Sequence, residues 1–175
     1  MLRKFFKVGV MLSLLFASSA MAQVGNNFPN VNLLDAYSKP TSMPSIGEKV
    51  LLVYYVDPDV YENYSPVADE VLKKDYSSND YQNIAIMNLK ETWVPNFLII
   101  SECKKNQKKY PQDKILLDKK NIFSKALKVD VPNNSILIAV VGKDSKIKLL
   151  EIVKSKKEAQ KIANKVVETM NSLFK

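Results

Sequence analysis

Lys49-Val50-Leu51-Leu52-Val53-Tyr54-Tyr55-Val56 is, after its lysine, a continuous apolar run, bounded by Gly47 and Pro58. It is rich in β-branched and aromatic residues. A run of this kind, closed by turn residues, reads as a strand buried on both faces of a parallel sheet. Downstream, Ser135-Ile136-Leu137-Ile138-Ala139-Val140-Val141 has the same character. Gly142-Lys143-Asp144-Ser145 follows as a hairpin turn, and residues 147–153 read as the returning strand. Residues 81–88 and 114–118 supply two further strands. Residues 24–48 are rich in Asn, Pro, Ser and Thr and read as an irregular lead-in with room for one edge strand.

Helices separate these strands. Asp57-Pro58-Asp59 is a turn, after which Pro66, Val67, Val71 and Leu72 predict a helix ending near Lys74, with Pro66 in its first turn or at a kink. Trp93, Phe97, Ile100, Cys103, Gln107 and Tyr110 follow three- and four-residue spacing, which predicts a helix with those residues on its apolar stripe. Pro95 suits its first turn and Pro111 stops it. Residues 121–129 read as a short helix carrying Ile122, Phe123, Ala126 and Leu127. Ser155 and Glu158 form a capping box. The helix they open places Ala159, Ile162, Ala163, Val166, Val167 and Met170 on one face.

The N-terminus has the three parts of a secretory signal peptide. Arg3, Lys4 and Lys7 are the positive region, and residues 8–16 are an apolar core too short to span a bilayer. Ala20-Met21-Ala22 is a cleavage site. No Cys follows the apolar core to accept a lipid. The expected product is one domain, residues 23–175, in the periplasm, with no membrane anchor in its mature form. Its 153 residues are enough to bury roughly 70% of the unfolded surface without disulfides or metal. The full chain carries a formal charge of +8. Three of the 26 basic residues and none of the 18 acidic ones lie in the signal peptide, leaving +5. Lysines 104, 105, 108, 109, 119, 120 and 125 read as a solvated face rather than a site for acidic partners, and no nucleic-acid partner is expected after export.

Two absences bound the chemistry. The chain has no histidine, which removes His-based acid–base chemistry, His-activated nucleophiles and most zinc sites. It has a single cysteine, Cys103, so neither an intramolecular disulfide nor a Cys-x-x-Cys pair can form. No cofactor and no metal is expected.

Strand, helix, strand, helix, then a strand hairpin and a terminal helix is the element order of a thioredoxin-like domain: a three-layer α/β fold with a central mixed sheet, a C-terminal β-hairpin and a terminal helix. In that fold the redox centre follows the first core strand. Here that segment is Val56-Asp57-Pro58-Asp59-Val60-Tyr61-Glu62-Asn63-Tyr64, without cysteine. Where such domains place a cis-proline before the hairpin strand, this chain has Asn134 or Ser135.

From about Tyr81 onward the chain also resembles the YtfJ family of small exported bacterial proteins. The resemblance is carried by Asn106-Gln107-Lys108-Lys109-Tyr110-Pro111, a strand into Asp118, and Asn134-Ser135-Ile136-Leu137-Ile138-Ala139-Val140-Val141-Gly142-Lys143-Asp144. It implies a periplasmic thioredoxin-like protein without a Cys pair, and it carries over no catalytic residue. Ser145 and Asn121 stand where that family tends to have turn glycines.

Five residues at the expected sheet end form the candidate binding surface: Asp57, Asp59, Tyr61, Tyr64 and Ser135. The first strand's exit loop should lie beside the loop before the hairpin strand. Tyrosines there are good interface anchors, for a protein or peptide partner in the periplasm. Asp57, Asp59 and Glu62 could hold a hard cation or pair for acid–base work, but Asp-Pro-Asp is also an ordinary turn and cap. Trp93 reads as a packing residue. The alternative function is a one-Cys thiol peroxidase or reductase using Cys103. The helical spacing instead puts that thiol among core residues, and a thiol late in a helix gains nothing from the helix N-terminus. An accessory binding module is therefore expected rather than an enzyme.

Overall fold

A computed structural model of the chain describes residues 23–174. The signal-peptide reading lies outside the described residues. Seven strands form one sheet: β1 (Asn32–Asp35), β2 (Pro40–Ser42), β3 (Val50–Val56), β4 (Tyr81–Asn88), β5 (Lys114–Asp118), β6 (Ile136–Val141) and β7 (Ile147–Val153), in the order β2-β1-β5-β4-β3-β6-β7. β3, β4 and β5 run parallel, with Tyr54 opposite Ala85 and Ile86 opposite Leu116. β6 lies antiparallel to β3 on its other side, with Ile138 opposite Tyr54, and the hairpin adds β7. This is the mixed sheet and C-terminal hairpin that the element order predicts.

The run that opened the reading is β3, and all seven of its residues are buried. Its two faces feed two cores. Leu51, Val53 and Tyr55 pack with Leu137, Ala139, Phe123, Leu127 and Phe28 on one side. Leu52, Tyr54 and Val56 pack with Ile136, Ile138 and Val140 on the other. The second side is covered by α1 (Ser65–Leu72) and α4 (Lys156–Leu173). Ala159, Ala163, Val166, Val167 and Met170 of α4 are buried. The predicted cap forms, with its return bond shifted by one residue: Ser155 Oγ accepts from the Glu158 N–H at 3.3 Å, and Glu158 Oε2 accepts from the N–H of Lys154, just before the cap, at 2.7 Å. The first side is covered by α3 (Ile122–Leu127), whose buried residues are Phe123 and Leu127.

The remaining helix, α2 (Asn96–Lys109), corrects the reading of its stripe. Ile99 and Cys103 are buried, against Leu117, Ala36 and Leu89, whereas Trp93, Phe97 and Tyr110 are exposed. Phe97, Leu98, Ile99 and Ile100 are consecutive, so their apolarity does not fix a helical phase. The sheet selects Ile99 and Cys103, four apart. Trp93 is not in the helix at all, which starts after Pro95. The lead-in also holds two short strands rather than one. Asp35 Oδ1 accepts from the N–H groups of Tyr37 and Lys39 at 2.8 and 2.9 Å, turning β1 into β2, and β1 docks antiparallel on β5. Asn121 and Ser145 both adopt left-handed backbone, at φ 53° and 61°. Asn tolerates that region better than most residues.

Candidate functional site

The C-terminal ends of β3, β4 and β5 point to one edge of the molecule, where open α/β sheets characteristically place ligands. Two carboxylates organise that edge. Asp57 leaves β3 and is 6% exposed. Its Oδ1 accepts from the Asp59 N–H at 2.9 Å, capping a 3-10 helix over Pro58–Tyr64. Its Oδ2 accepts from the Asn134 N–H at 2.7 Å. Asp57 thus ties the exit loop of β3 to the loop before β6, the juxtaposition expected from the sequence. Among the described residues every peptide bond is trans, and Asn134 instead turns the chain at φ 57°.

Asp118 leaves β5 fully buried. It accepts from the N–H groups of Lys120 and Ile122 at 3.0 Å and of Phe123 at 2.9 Å, which satisfies the first turn of α3. The Tyr55 hydroxyl reaches it at 3.5 Å and Asn121 Oδ1 at 3.3 Å. Burial and the neighbouring Asp118 carboxylate raise the Tyr55 hydroxyl far above its ordinary range. Asn121 donates from Nδ2 to Glu91 at 2.8 Å. Sequence reasoning missed Asp118, because its partners become neighbours only when the strand end and the helix start fold together.

The five candidate residues divide. Asp57 and Ser135 are buried, and the Ser135 hydroxyl donates to the Pro132 carbonyl, so both hold the loops rather than face solvent. Asp59 is half-buried and accepts from the Thr92 hydroxyl at 2.6 Å and the Trp93 N–H at 3.3 Å. Tyr64 is half-buried, its ring 4.9 Å from that of Tyr54, and burial raises its hydroxyl. Tyr61 is 54% exposed. It lines an open depression of about 390 Å³ with Glu62, Tyr64, Asp69 and Lys156. Lys156 pairs with Glu62 at 2.7 Å and holds that carboxyl below its usual range.

Asp59 brings in residues that the sequence reading placed elsewhere. Trp93 is 80% exposed and Phe97 70%, so Trp93 is not the packing residue it was read as. Pro95, two residues after Trp93, starts the helix beyond it, and Asp59 fixes the backbone of the same loop, which leaves the indole outside the core. Exposed aromatic residues thus flank this edge: Tyr61 follows Asp59 after β3, and Trp93 and Phe97 lie on and just beyond the loop whose backbone Asp59 holds. Among the described residues no three His, Cys, Asp or Glu side chains are grouped to hold a metal ion. Cys103 lies in the α2 core with Ile99 and Leu117, and burial pushes its thiol up to about 11. A thiol in that state supplies almost no thiolate at neutral pH.

No family model matches the chain, and no curated protein matches it. Solved structures do. One is a protein assigned as the thiol:disulfide interchange protein DsbE of Chlorobium tepidum, with TM-score 0.59 and 10% identity over 83% of this chain and 96% of that one. Another is the thioredoxin domain of a thiol-disulfide oxidoreductase from Bacteroides vulgatus, with TM-score 0.55 and 13% identity over 82% and 97%. BsSco, of the Sco family of cytochrome c oxidase assembly proteins, matches with TM-score 0.55 and 15% identity over 83% and 94%. At such identities the likeness concerns the backbone alone. The chain has a thioredoxin-like α/β fold.

Proposed function

We propose that this chain is a thioredoxin-fold binding module that performs no thiol–disulfide chemistry. It is exported through the signal peptide read in residues 1–22, is of the YtfJ-like kind, and meets a protein or peptide at the aromatic rim of the sheet end. The observation that carries the reading is Trp93. A large apolar side chain stands 80% exposed on a loop whose backbone is fixed to Asp59, a residue of the segment that replaces a redox motif. Aromatic side chains on a rigid support make effective anchors, each contributing about 2 kcal/mol or more to a partner. Tyr61 and Phe97 extend the same patch, and Asp57 and Ser135 serve it by holding the loops.

Support for the YtfJ-like reading comes from Asn121 and Ser145, whose left-handed backbone suits positions where that family tends to have glycine. Support for export comes from the Ala20-Met21-Ala22 site, and no described helix is long and apolar enough to cross a membrane. The test is affinity capture from a periplasmic extract by the wild type and by a Tyr61→Ala/Trp93→Ala variant, with insulin-disulfide reduction measured alongside. The proposal expects reduction at background, and a captured protein that the folded variant loses. Equal capture by the variant moves the surface elsewhere, and reduction above background brings back Cys103 chemistry.

A further inference from the structure

Ile99 and Cys103 fix α2 to the sheet, and the opposite side of the helix is exposed along its length. At about 100° per residue, Phe97, Ser101, Lys104 and Lys108 fall in one stripe down that side. Leu98, Lys105 and Lys109 run beside it. Trp93 stands on the loop that leads into the stripe. The exposed face is therefore apolar at its start, where Phe97 is 70% and Leu98 50% exposed, and cationic from Lys104 onward. Along the helix axis Lys104 lies roughly 10 Å from Phe97, and Lys108 roughly 16 Å.

The cations are not matched within the chain. Glu102 is the one carboxylate on α2, and it pairs with Lys105 at 3.3 Å. Among the described residues no ion pair includes Lys104 or Lys108. Lys109 lies over the Tyr110 ring at 5.0 Å. The carboxylates beside Trp93 are engaged. Asp59 accepts from the Thr92 hydroxyl and the Trp93 N–H, and Glu91 accepts from Asn121 Nδ2 at 2.8 Å and lies 3.5 Å from Lys90 Nζ. A solvated lysine face, as read from the sequence, leaves unexplained the three large apolar side chains in solvent at its head.

These features select a partner. A purely apolar one would leave the lysine charges desolvated and unpaired. A purely acidic one would leave Trp93 and Phe97 uncovered. A helix that lies on a membrane buries a continuous apolar face in the bilayer, but the apolar side of α2, with Ile99 and Cys103, is already packed on Leu117 and Leu89. Resting on the binding reading above, we propose that the partner's docking segment runs on from the sheet end along α2 and is acidic: an apolar side chain packs against Trp93 and Phe97, and carboxylates meet Lys104 and Lys108.

Trp93 is the sole tryptophan, so its emission reports on this surface without a label. The protein is titrated with a capped, glycine-spaced peptide that carries leucines at one end and glutamates at the other, with the same peptide carrying glutamine for glutamate, and with phosphatidylglycerol vesicles. The glutamate peptide should shift Trp93 emission saturably, bind about tenfold tighter than its glutamine twin, and weaken as salt is raised. Lys104→Gln/Lys108→Gln should bring its affinity down to that of the twin while leaving the melting temperature unchanged, because both side chains are exposed. Equal affinities of the two peptides, or an affinity that the double variant does not change, overturn the acidic partner and leave the aromatic surface standing. No shift with either peptide overturns the proposal, and the capture experiment with Tyr61→Ala/Trp93→Ala then decides the aromatic surface separately. A shift with the vesicles and with neither peptide assigns the face to a membrane and overturns the proposal.

Discussion

Two loops meet at the same edge of the sheet and have opposite characters. The loop after β3 is a frame: Asp57 is buried, Pro58 is buried, and Asn63 Nδ2 donates to the Lys154 carbonyl at 3.1 Å. The loop before α2 is a display: its backbone is fixed by Asp59, but Trp93 and then Phe97 stand in solvent. The first loop stands where a redox domain would carry thiols, and here its polar groups are used up within the chain. The second has its backbone satisfied and its side chains free. In this protein the polar residues of the edge build it and the apolar ones are left to face solvent, the reverse of the usual division between core and surface.

Breaking the frame should cost stability. Asp118→Ala removes the acceptor of three N–H groups at the start of α3, that of buried Phe123 among them, and is expected to destabilise by about 3 kcal/mol. Asp57→Ala, which frees two N–H groups, is expected to cost about 2 kcal/mol. Urea unfolding of the two variants gives both values. An Asp57→Ala protein as stable as the wild type would remove the clamp between the β3 exit and the β6 entry.

Tyr61 and Tyr64 sharpen the same contrast within one 3-10 helix. Tyr64→Ala removes a half-buried ring packed on Tyr54 and should cost about 1–2 kcal/mol. Tyr61→Ala should stay within about 0.5 kcal/mol, as exposed substitutions usually do. Equal losses at the two positions would mean that Tyr61 packs after all.

The smallest effect is in alkali. Burial raises the Cys103 thiol from 9.0 to about 11 and the Tyr54 hydroxyl well above 10.0, so the folded state favours the neutral forms. Such groups contribute fully below their unfolded pKa values, and that contribution is lost as pH rises through the folded ones. The melting temperature should hold up to about pH 9 and fall from there through about 11. Cys103→Ser should make the fall shallower between those limits, without abolishing any activity of the protein. A limb unchanged by the substitution would place the thiol in contact with water.

How much of this was legible in the sequence varies with the range of the interactions. β3, β6 and β7 announce themselves, because an unbroken apolar run or a turn followed by alternation is a local signal. The α4 capping box is local as well, with both partners within four residues. The phase of α2 was not legible, since four consecutive apolar residues fit several faces and only packing on Leu117 chooses Ile99 and Cys103. The second lead-in strand was hidden by its length of three residues and its opening Pro40. At the edge of the sheet, the Asp57 turn and cap were readable, but its bond to Asn134 spans 77 positions and that of Asp59 to Thr92 spans 33. Trp93 was misplaced because helical spacing was counted through Pro95. Pro95 itself, which marks a helix start two residues after Trp93, was the available signal that Trp93 lies outside the helix.

The most direct test of the division between frame and display is photo-cross-linking in the periplasm from a benzoylphenylalanine placed at position 93, compared with one at Lys161 on the solvent face of α4. The account predicts a discrete cross-linked partner from position 93 that is absent from position 161 and lost when Tyr61→Ala and Phe97→Ala are added. The same cross-links from both positions, or none from position 93 in protein that is folded and exported, would contradict it.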